Sequence, residues 1–409
     1  MNSASHSAGA AAPFDTATLE RIQRELQAAG LDGWLLWDFH GANPVAGQLL
    51  GLPVLTRRYF VLLPAEGRPF ALTHRIEQQP WESWPGEKRV YLSWRELEAG
   101  LAEMLTGRRR VAMEYVPENA VPYVDRTPAG LIELVRAAGP EVVSSADLVS
   151  TFYSRWSPEQ QASHRRAAVH VRDTAHEAFR RVGEHIRRGD SINEWQLREW
   201  ICNRLAERGL AIGVDSIVAI GPNAANPHYY PSAEEHREIR KGDLLLVDLF
   251  GKESEEAIYA DQTWMAFVGE EAPPRLQEIF AAVRDGRDAA VELLRQRWSA
   301  GEPTAGFEVD DAARAVIAAR GFAESFIHRT GHSIDRELHG SGPNLDNLET
   351  RDTRRLIPGV GFSVEPGIYL AGDVGFRSEI NVFLGQDGPE VTPREPQREL
   401  YPILAAEGG

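Results

Sequence analysis

The chain has 409 residues, 43% of them hydrophobic and 25% charged, with a formal net charge of -16. That is enough for two soluble domains, and the acidic balance without any basic run excludes nucleic acid and anionic lipid as expected partners. A single cysteine, Cys202, excludes an intrachain disulfide framework and fits a reducing compartment, so the cytoplasm is the expected location.

The opening MNSASHSAGAAAPFD has neither a basic start nor an apolar core of signal-peptide length, and reads as a disordered tail over 1–14. No stretch approaches the ~20 apolar residues that span a bilayer, so no membrane partner is expected. From Asp15 to Ala29 apolar residues recur at helical spacing, and Gly30 and Gly33 end that helix. The runs GWLLWDF, YFVLLPA, PFALTH, RVYLSW and RVAMEY follow, bounded by Gly, Pro or charge. Helical segments such as RELEAGLAEML separate them, and together they predict a small α/β domain over 15–150.

At SRWSPEQ the texture changes and a second domain, 151–409, begins. Ser157 is an N-cap candidate with Pro158 in the first turn and Gln160 completing a capping box, before a helix reaching about Arg188. In SINEW, Ser191 and Glu194 have the same spacing and predict a second helix that Gly209 closes. Strands are expected at VDSIVAI, DLLLVDLF and YADQTWMAFV, helices at about 274–299 and 308–320, then strands at FIHRTGH, GFSVEPGIYL and FRSEINVFL. Helices followed by strands, twice over, predict an α+β domain of two similar halves.

Acids interrupt these apolar strands. Asp248 breaks LLLVDLF, Asp261 stands in the next strand, and Glu365 and Glu379 belong to what reads as a β-hairpin. Buried acids repel one another unless a cation pairs with them or a proton neutralises one. Plainer roles are open to each: edge-strand acids can face water, Asp248 can cap a turn at Phe250-Gly251, and Asp261 can bond Thr263. The segment HRTGHSIDRELH holds His328, His332 and His339, three of twelve histidines, and His228 precedes them in NPHYYPS. The helical His164, His170, His176, His185 and His236 read as ordinary structural or surface residues. His332 follows Gly331, which permits close backbone approach, and with the four acids it makes an oxygen-rich set with one nitrogen. Such a set has the donors and the charge for two divalent ions, which can activate a water near neutral pH.

In order and context these residues resemble the pita-bread metallopeptidases: methionine aminopeptidase, aminopeptidase P and above all Xaa-Pro dipeptidase, or prolidase. The family's Asp, Asp, His, Glu, Glu ligands correspond to Asp248 in LLLVDLFG, Asp261 in YADQT, His332 in HRTGHSI, Glu365 in SVEPGIY and Glu379 in FRSEI. The resemblance implies a pita-bread catalytic domain behind a smaller α/β domain, a homodimer, and two divalent ions, Mn²⁺ by preference, with Co²⁺ or Zn²⁺ as alternatives. It implies Glu365 as proton shuttle, with His228, His328 and His339 meeting the substrate carbonyl or carboxylate. In RDTR, Arg351 falls where prolidases grip the dipeptide's free carboxylate, and Arg377 is expected to brace Glu379 or add a substrate contact. The sequence departs from the family in a longer loop between the aspartates, in AlaIleTyr before Asp261, in Gly331-His332-Ser333 and in Glu379-Ile380. The implied activity is hydrolysis of Xaa-Pro dipeptides. The alternatives are an aminopeptidase P acting on longer peptides, a non-peptide amide hydrolase, and an inactive binding homologue.

Overall fold

The computed structural model describes residues 14–211, 213 and 215–406. The expected N-terminal tail lies outside the described residues except for Phe14, which is buried and stacks on Trp84. The chain divides between Tyr153 and Ser154 into two compact units.

The first unit is a six-stranded sheet with helices on both faces. Its elements run α1 (Thr16–Ala28), β1 (Gly33–Asp38), α2 (Pro44–Leu50), β2 (Tyr59–Pro64), β3 (Phe70–His74) and β4 (Glu87–Tyr91), then α3 (Trp94–Leu105), β5 (Arg110–Met113), α4 (Ala129–Ala137), β6 (Glu141–Ser144) and α5 (Ala146–Phe152). The strand order is β4-β3-β2-β1-β5-β6. Strand side chains alternate between faces, and on β1 this sends Trp34 and Leu36 into a core with Ile22, Leu26, Val45 and Val149. Leu35 and Trp37 enter the opposite core with Leu97, Leu101, Ile132 and Val135. A strand apolar on both faces is what a covered central position requires.

The second unit repeats one plan twice. The long helix α6 (Pro158–Arg188) starts at Ser157 with the expected Gln160 box, and α7 (Glu194–Glu207) follows. The N-cap of α7 is Asn193, boxed with Gln196, so the Ser191–Glu194 expectation is corrected. Both pairs have capping-box spacing, but Ser191 is exposed and Glu194 is buried. Strands β7 (Ile217–Ile220), β8 (Leu244–Gly251) and β9 (Ala260–Phe267) form an antiparallel sheet on these helices. Leu245, Val247 and Leu249 of β8 face Val171, Phe179 and Ile201 of the helices, while Leu244 and Leu246 face the other way.

Helices α8 (Pro274–Ala300) and α9 (Gly306–Ala319) open the second half. Its strands are β10 (Ser333–Ile334), β11 (Gly361–Val364), β12 (Gly367–Leu370), β13 (Val374–Arg377), β14 (Ile380–Gly385) and β15 (Gly388–Thr392). Ala290, Leu294, Val309 and Ala313 of the helices pack on Phe362, Val364, Ile380 and Val382 of the strands. A last short strand, β16 (Tyr401–Pro402), returns to pair parallel with β9.

Two expectations need correcting here. The segment 326–332 is not a strand; its ladder begins at Ser333. The hairpin is also not continuous: β11 pairs with β14 in a four-stranded sheet, while β12 and β13 form a separate two-stranded one. Pro366 has no N–H to give a ladder, and the interruption falls at Glu365-Pro366 on one arm and Ser378-Glu379 on the other.

Candidate metal centre

Strand pleating places the first two acids. Asp248 pairs with Thr263 and Phe250 with Asp261 across β8 and β9, so Asp248, Asp261 and Thr263 share the face that also carries Leu244 and Leu246. The backbone of Asp261 is stitched to β14. Its N–H donates to Asn381 Oδ1 at 2.9 Å, and its carbonyl accepts from Asn381 Nδ2 at 2.7 Å. Asn381 thereby brings the first sheet to the break in the second, where Glu365 and Glu379 stand.

His332 arrives on the fourth side. A Cβ on Gly331 would lie 2.0 Å from the carbonyl oxygen of Ser363, so only glycine lets this segment press against β11. His332 Nδ1 meets the Ser333 carbonyl at 3.1 Å, which makes it the protonated nitrogen and leaves the Nε2 lone pair facing the acids. Nε2 lies 3.2 Å from Glu365 Oε1 and 3.5 Å from Asp261 Oδ2. One ligand atom each from Asp261, His332 and Glu379 falls within 4.8 Å of the others.

The electrostatics of this cluster are unbalanced without a cation. Burial first, then repulsion from neighbouring acids, pushes Asp248 up to about 7 and Asp261 up to about 8, and raises Glu379 well above the carboxylate range. Glu365, which is less enclosed, is pushed up by burial but ends below its ordinary value because His332, His328 and Arg377 more than offset that. Asp248 Oδ1 and Glu379 Oε1 are buried and make no hydrogen bond. Oxygens of this kind are costly in a protein interior, and they fit a site built to hold divalent cations.

The guanidinium of Arg377 is buried and committed to the interior. It donates from Nη2 to Asp248 Oδ2 (2.5 Å), from Nε to Thr263 Oγ1 (2.9 Å) and from Nη1 to the Tyr369 hydroxyl (3.2 Å). Its direct bond to an acid is to Asp248, and it reaches Glu379, the acid it was expected to brace, through Thr263, whose hydroxyl donates to Glu379 Oε2 at 2.9 Å.

The histidines differ in availability. His328, expected to meet substrate, has both ring nitrogens taken, by the Arg329 carbonyl at 2.7 Å and the Tyr369 hydroxyl at 2.9 Å, and burial pushes it down to about 4. His339 is exposed, with its ring 4.4 Å from that of His332. His228 is also exposed. Arg351 is exposed, with its guanidinium 4.7 Å over the Phe307 ring rather than in contact with the acids. The buried arginine of that stretch is Arg354, forked onto Asp352 at 2.5 and 2.9 Å.

Sequence reasoning missed Tyr369, Asn381 and Tyr230, and it offered Thr263 as a partner of Asp261, whereas its hydroxyl donates to Glu379. Tyr230 is 43% exposed, yet its hydroxyl feels Asp248 and Asp261. The doubled tyrosine in NPHYYPS was the available signal for Tyr230. The others have none, because their partners are distant in the chain.

Comparison with known proteins agrees with this geometry. A protein named probable dipeptidase PepE from Mycobacterium bovis is 36% identical over 172 residues, which cover 42% of this chain and 42% of that protein, so the match spans less than half its length. The Xaa-Pro dipeptidase of Lactobacillus delbrueckii subsp. lactis is 27% identical over 379 residues, 90% of this chain and 95% of that one. The crystal structure of dipeptidase PepE from Mycobacterium ulcerans superposes with a TM-score of 0.73 over 96% of this chain and 100% of that one, at 24% identity, a likeness of fold. It is the pita-bread fold. The pattern of metallopeptidase family M24 matches residues 164–386, more than half of the chain and a span within which Asp248, Asp261, His332, Glu365 and Glu379 all lie, and the chain belongs to that family.

Proposed function

We propose that this chain hydrolyses the Xaa-Pro bond of dipeptides, with Asp248, Asp261, His332, Glu365 and Glu379 holding two divalent cations. Mn²⁺ is the first choice among them, with Co²⁺ and Zn²⁺ as alternatives. The observation that carries the reading is the convergence of these acids around one imidazole nitrogen, with Asp248 Oδ1 and Glu379 Oε1 buried and unbonded. Bound there, divalent cations supply a nucleophile from water at neutral pH and polarise a carbonyl.

The protein's own groups do the rest. Glu365 is the most accessible acid of the set, 15% exposed at its side chain, and Ser363 Oγ holds its Oε1 at 3.0 Å, so it is aimed to pass a proton between water and the leaving nitrogen. His339 is the donor at the rim for the developing oxyanion, and His228 stands near it for the carbonyl or carboxylate of the substrate. His328 acts through Tyr369, whose orientation it fixes. Arg351 reads the free carboxylate next to proline; its exposure and its lack of an ion-pair partner among the described residues support that role.

The same reading makes the protein cytoplasmic and a homodimer. Its single cysteine supports the first, and no helix among the described residues is long and apolar enough to cross a membrane. An outer strand, β4, flanked by exposed Ile76, Val90, Leu92 and Trp94, supports pairing with a second copy. The deciding experiment is a panel of dipeptides and tripeptides assayed with added Mn²⁺, Co²⁺ and Zn²⁺. Xaa-Pro cleaved faster than Xaa-Pro-Xaa is the expected result. Faster tripeptide cleavage would make the chain an aminopeptidase P, and no hydrolysis despite bound metal would make it a binding homologue.

A further inference from the structure

Glu194 is the first residue of α7 and has no exposed surface. Among the described residues its carboxylate is not paired with any Lys, Arg or His, and instead collects neutral donors from a single excursion of the chain. Oε1 accepts from Ile220 N (2.7 Å) and Oε2 from the Tyr229 hydroxyl (2.7 Å) and Arg237 N (2.7 Å). Asn223 Nδ2 bonds both oxygens, at 2.9 and 3.2 Å. These donors run from Ile220, just before the segment 221–237, through Asn223 and Tyr229 to its end at Arg237. Every contact is a donor, so an acceptor-only group is what the position needs; a carboxamide would turn its own N–H bonds toward them. Tyr229 is drawn inward by this contact while its two neighbours, His228 and Tyr230, remain exposed. The segment itself runs beside the metal-ligand cluster: it leaves β7, whose Ile217 pairs with Asp248, and a Cβ on Gly375 of β13, the strand that carries Arg377, would lie 1.7 Å from the Ala224 carbonyl oxygen.

We propose that Glu194 is a positioning residue for substrate binding, a latch that fixes the 221–237 segment so that His228 and Tyr230 stand over the cluster. The inference rests on the Xaa-Pro dipeptidase reading for its kinetic consequence, though not for its structural one. Glu194→Gln should raise KM for an Xaa-Pro dipeptide about tenfold, change kcat far less, and leave bound metal unchanged, because the cluster is built on other strands. In a His228→Ala background the same substitution should have little further effect on kcat/KM. Chymotryptic cleavage after Tyr229, identified by mass spectrometry, should become faster in the Gln variant with metal bound. If Glu194→Gln folds poorly, Tyr229→Phe removes one bond of the latch and should raise KM in the same direction. Equal loss of kcat and of metal would overturn the proposal, since the cluster and not the segment would then depend on Glu194. If the unaltered chain cleaves no Xaa-Pro dipeptide, the functional reading fails, while proteolysis still decides: faster cleavage supports the latch and an unchanged rate overturns it.

Discussion

Asp261 divides its work between backbone and side chain. Asn381 holds both of its peptide groups, so the join between the sheets does not depend on the carboxylate, which faces His332 Nε2. Asp261→Asn is therefore expected to keep the fold, by circular dichroism, and to lose metal and turnover together, by elemental analysis and peptide assay. Arg351 offers the complementary test at the substrate end. A charge-assisted bond to a carboxylate is worth about 1.5–3 kcal/mol, so Arg351→Ala should lower kcat/KM for an Xaa-Pro dipeptide by roughly 10–150-fold. An amidated dipeptide should be almost unaffected. Equal effects on both would leave Arg351 as the partner of Phe307 and nothing more.

Among the elements, the divided hairpin decides where the acids can stand. Within either ladder Glu365 and Glu379 would alternate with apolar neighbours; at the break between the β11–β14 and β12–β13 pairings they turn to one place. Asn381 closes that place against β9. Asn381→Ala should strand two buried backbone groups and cost at least about 2 kcal/mol, read as a lower denaturation midpoint of the chelated protein. It should also weaken metal binding, by titration.

Most strands and helices of both units were legible because each has its own apolar period; the four acids stood out because they interrupt apolar runs, and His332 because it follows Gly331 in a cluster of histidines. The division of the hairpin was not, since SVEPGIYL has continuous strand propensity, although Pro366 inside it was a signal. The direct bond from Arg377 to Asp248 was illegible for a similar reason. Adjacency in sequence favoured Glu379, but the register of β13 aims the guanidinium at β8 and β9. Glu194 matched a capping spacing that Asn193 and Gln196 satisfy equally well, and only its burial separates the two.

Across the molecule, buried titratable groups away from the cluster set the acid limit of stability. His164 in α6 bonds the Tyr259 carbonyl and Thr392 Oγ1, both at 2.8 Å, and packs against Trp156, with Glu390 and Arg165 nearby. Burial pushes it down to about 4. Held neutral in the fold, it binds a proton more readily in the unfolded chain. Its contribution is thus complete above about pH 6.5 and is lost as pH falls toward 4, amounting to about 3 kcal/mol. His164→Gln should flatten this limb of a stability–pH curve measured by denaturant titration; an unchanged slope would assign the acid sensitivity elsewhere.

The return of β16 to β9 sets an order of events during synthesis on the ribosome. The strand that carries Asp261 is made well before its partners on one edge: Tyr401 and Pro402 pair with Ala266 and Phe267, Gln397 bonds both peptide groups of Met265, and Asn381 bonds those of Asp261. Until those residues emerge, the nascent first half presents an open β edge to any other extended segment. The second half's helices and strands are made in the meantime, and the acid cluster is complete only once Glu379 has emerged. A growing chain therefore passes through a window in which this edge is open while the acid cluster is still incomplete.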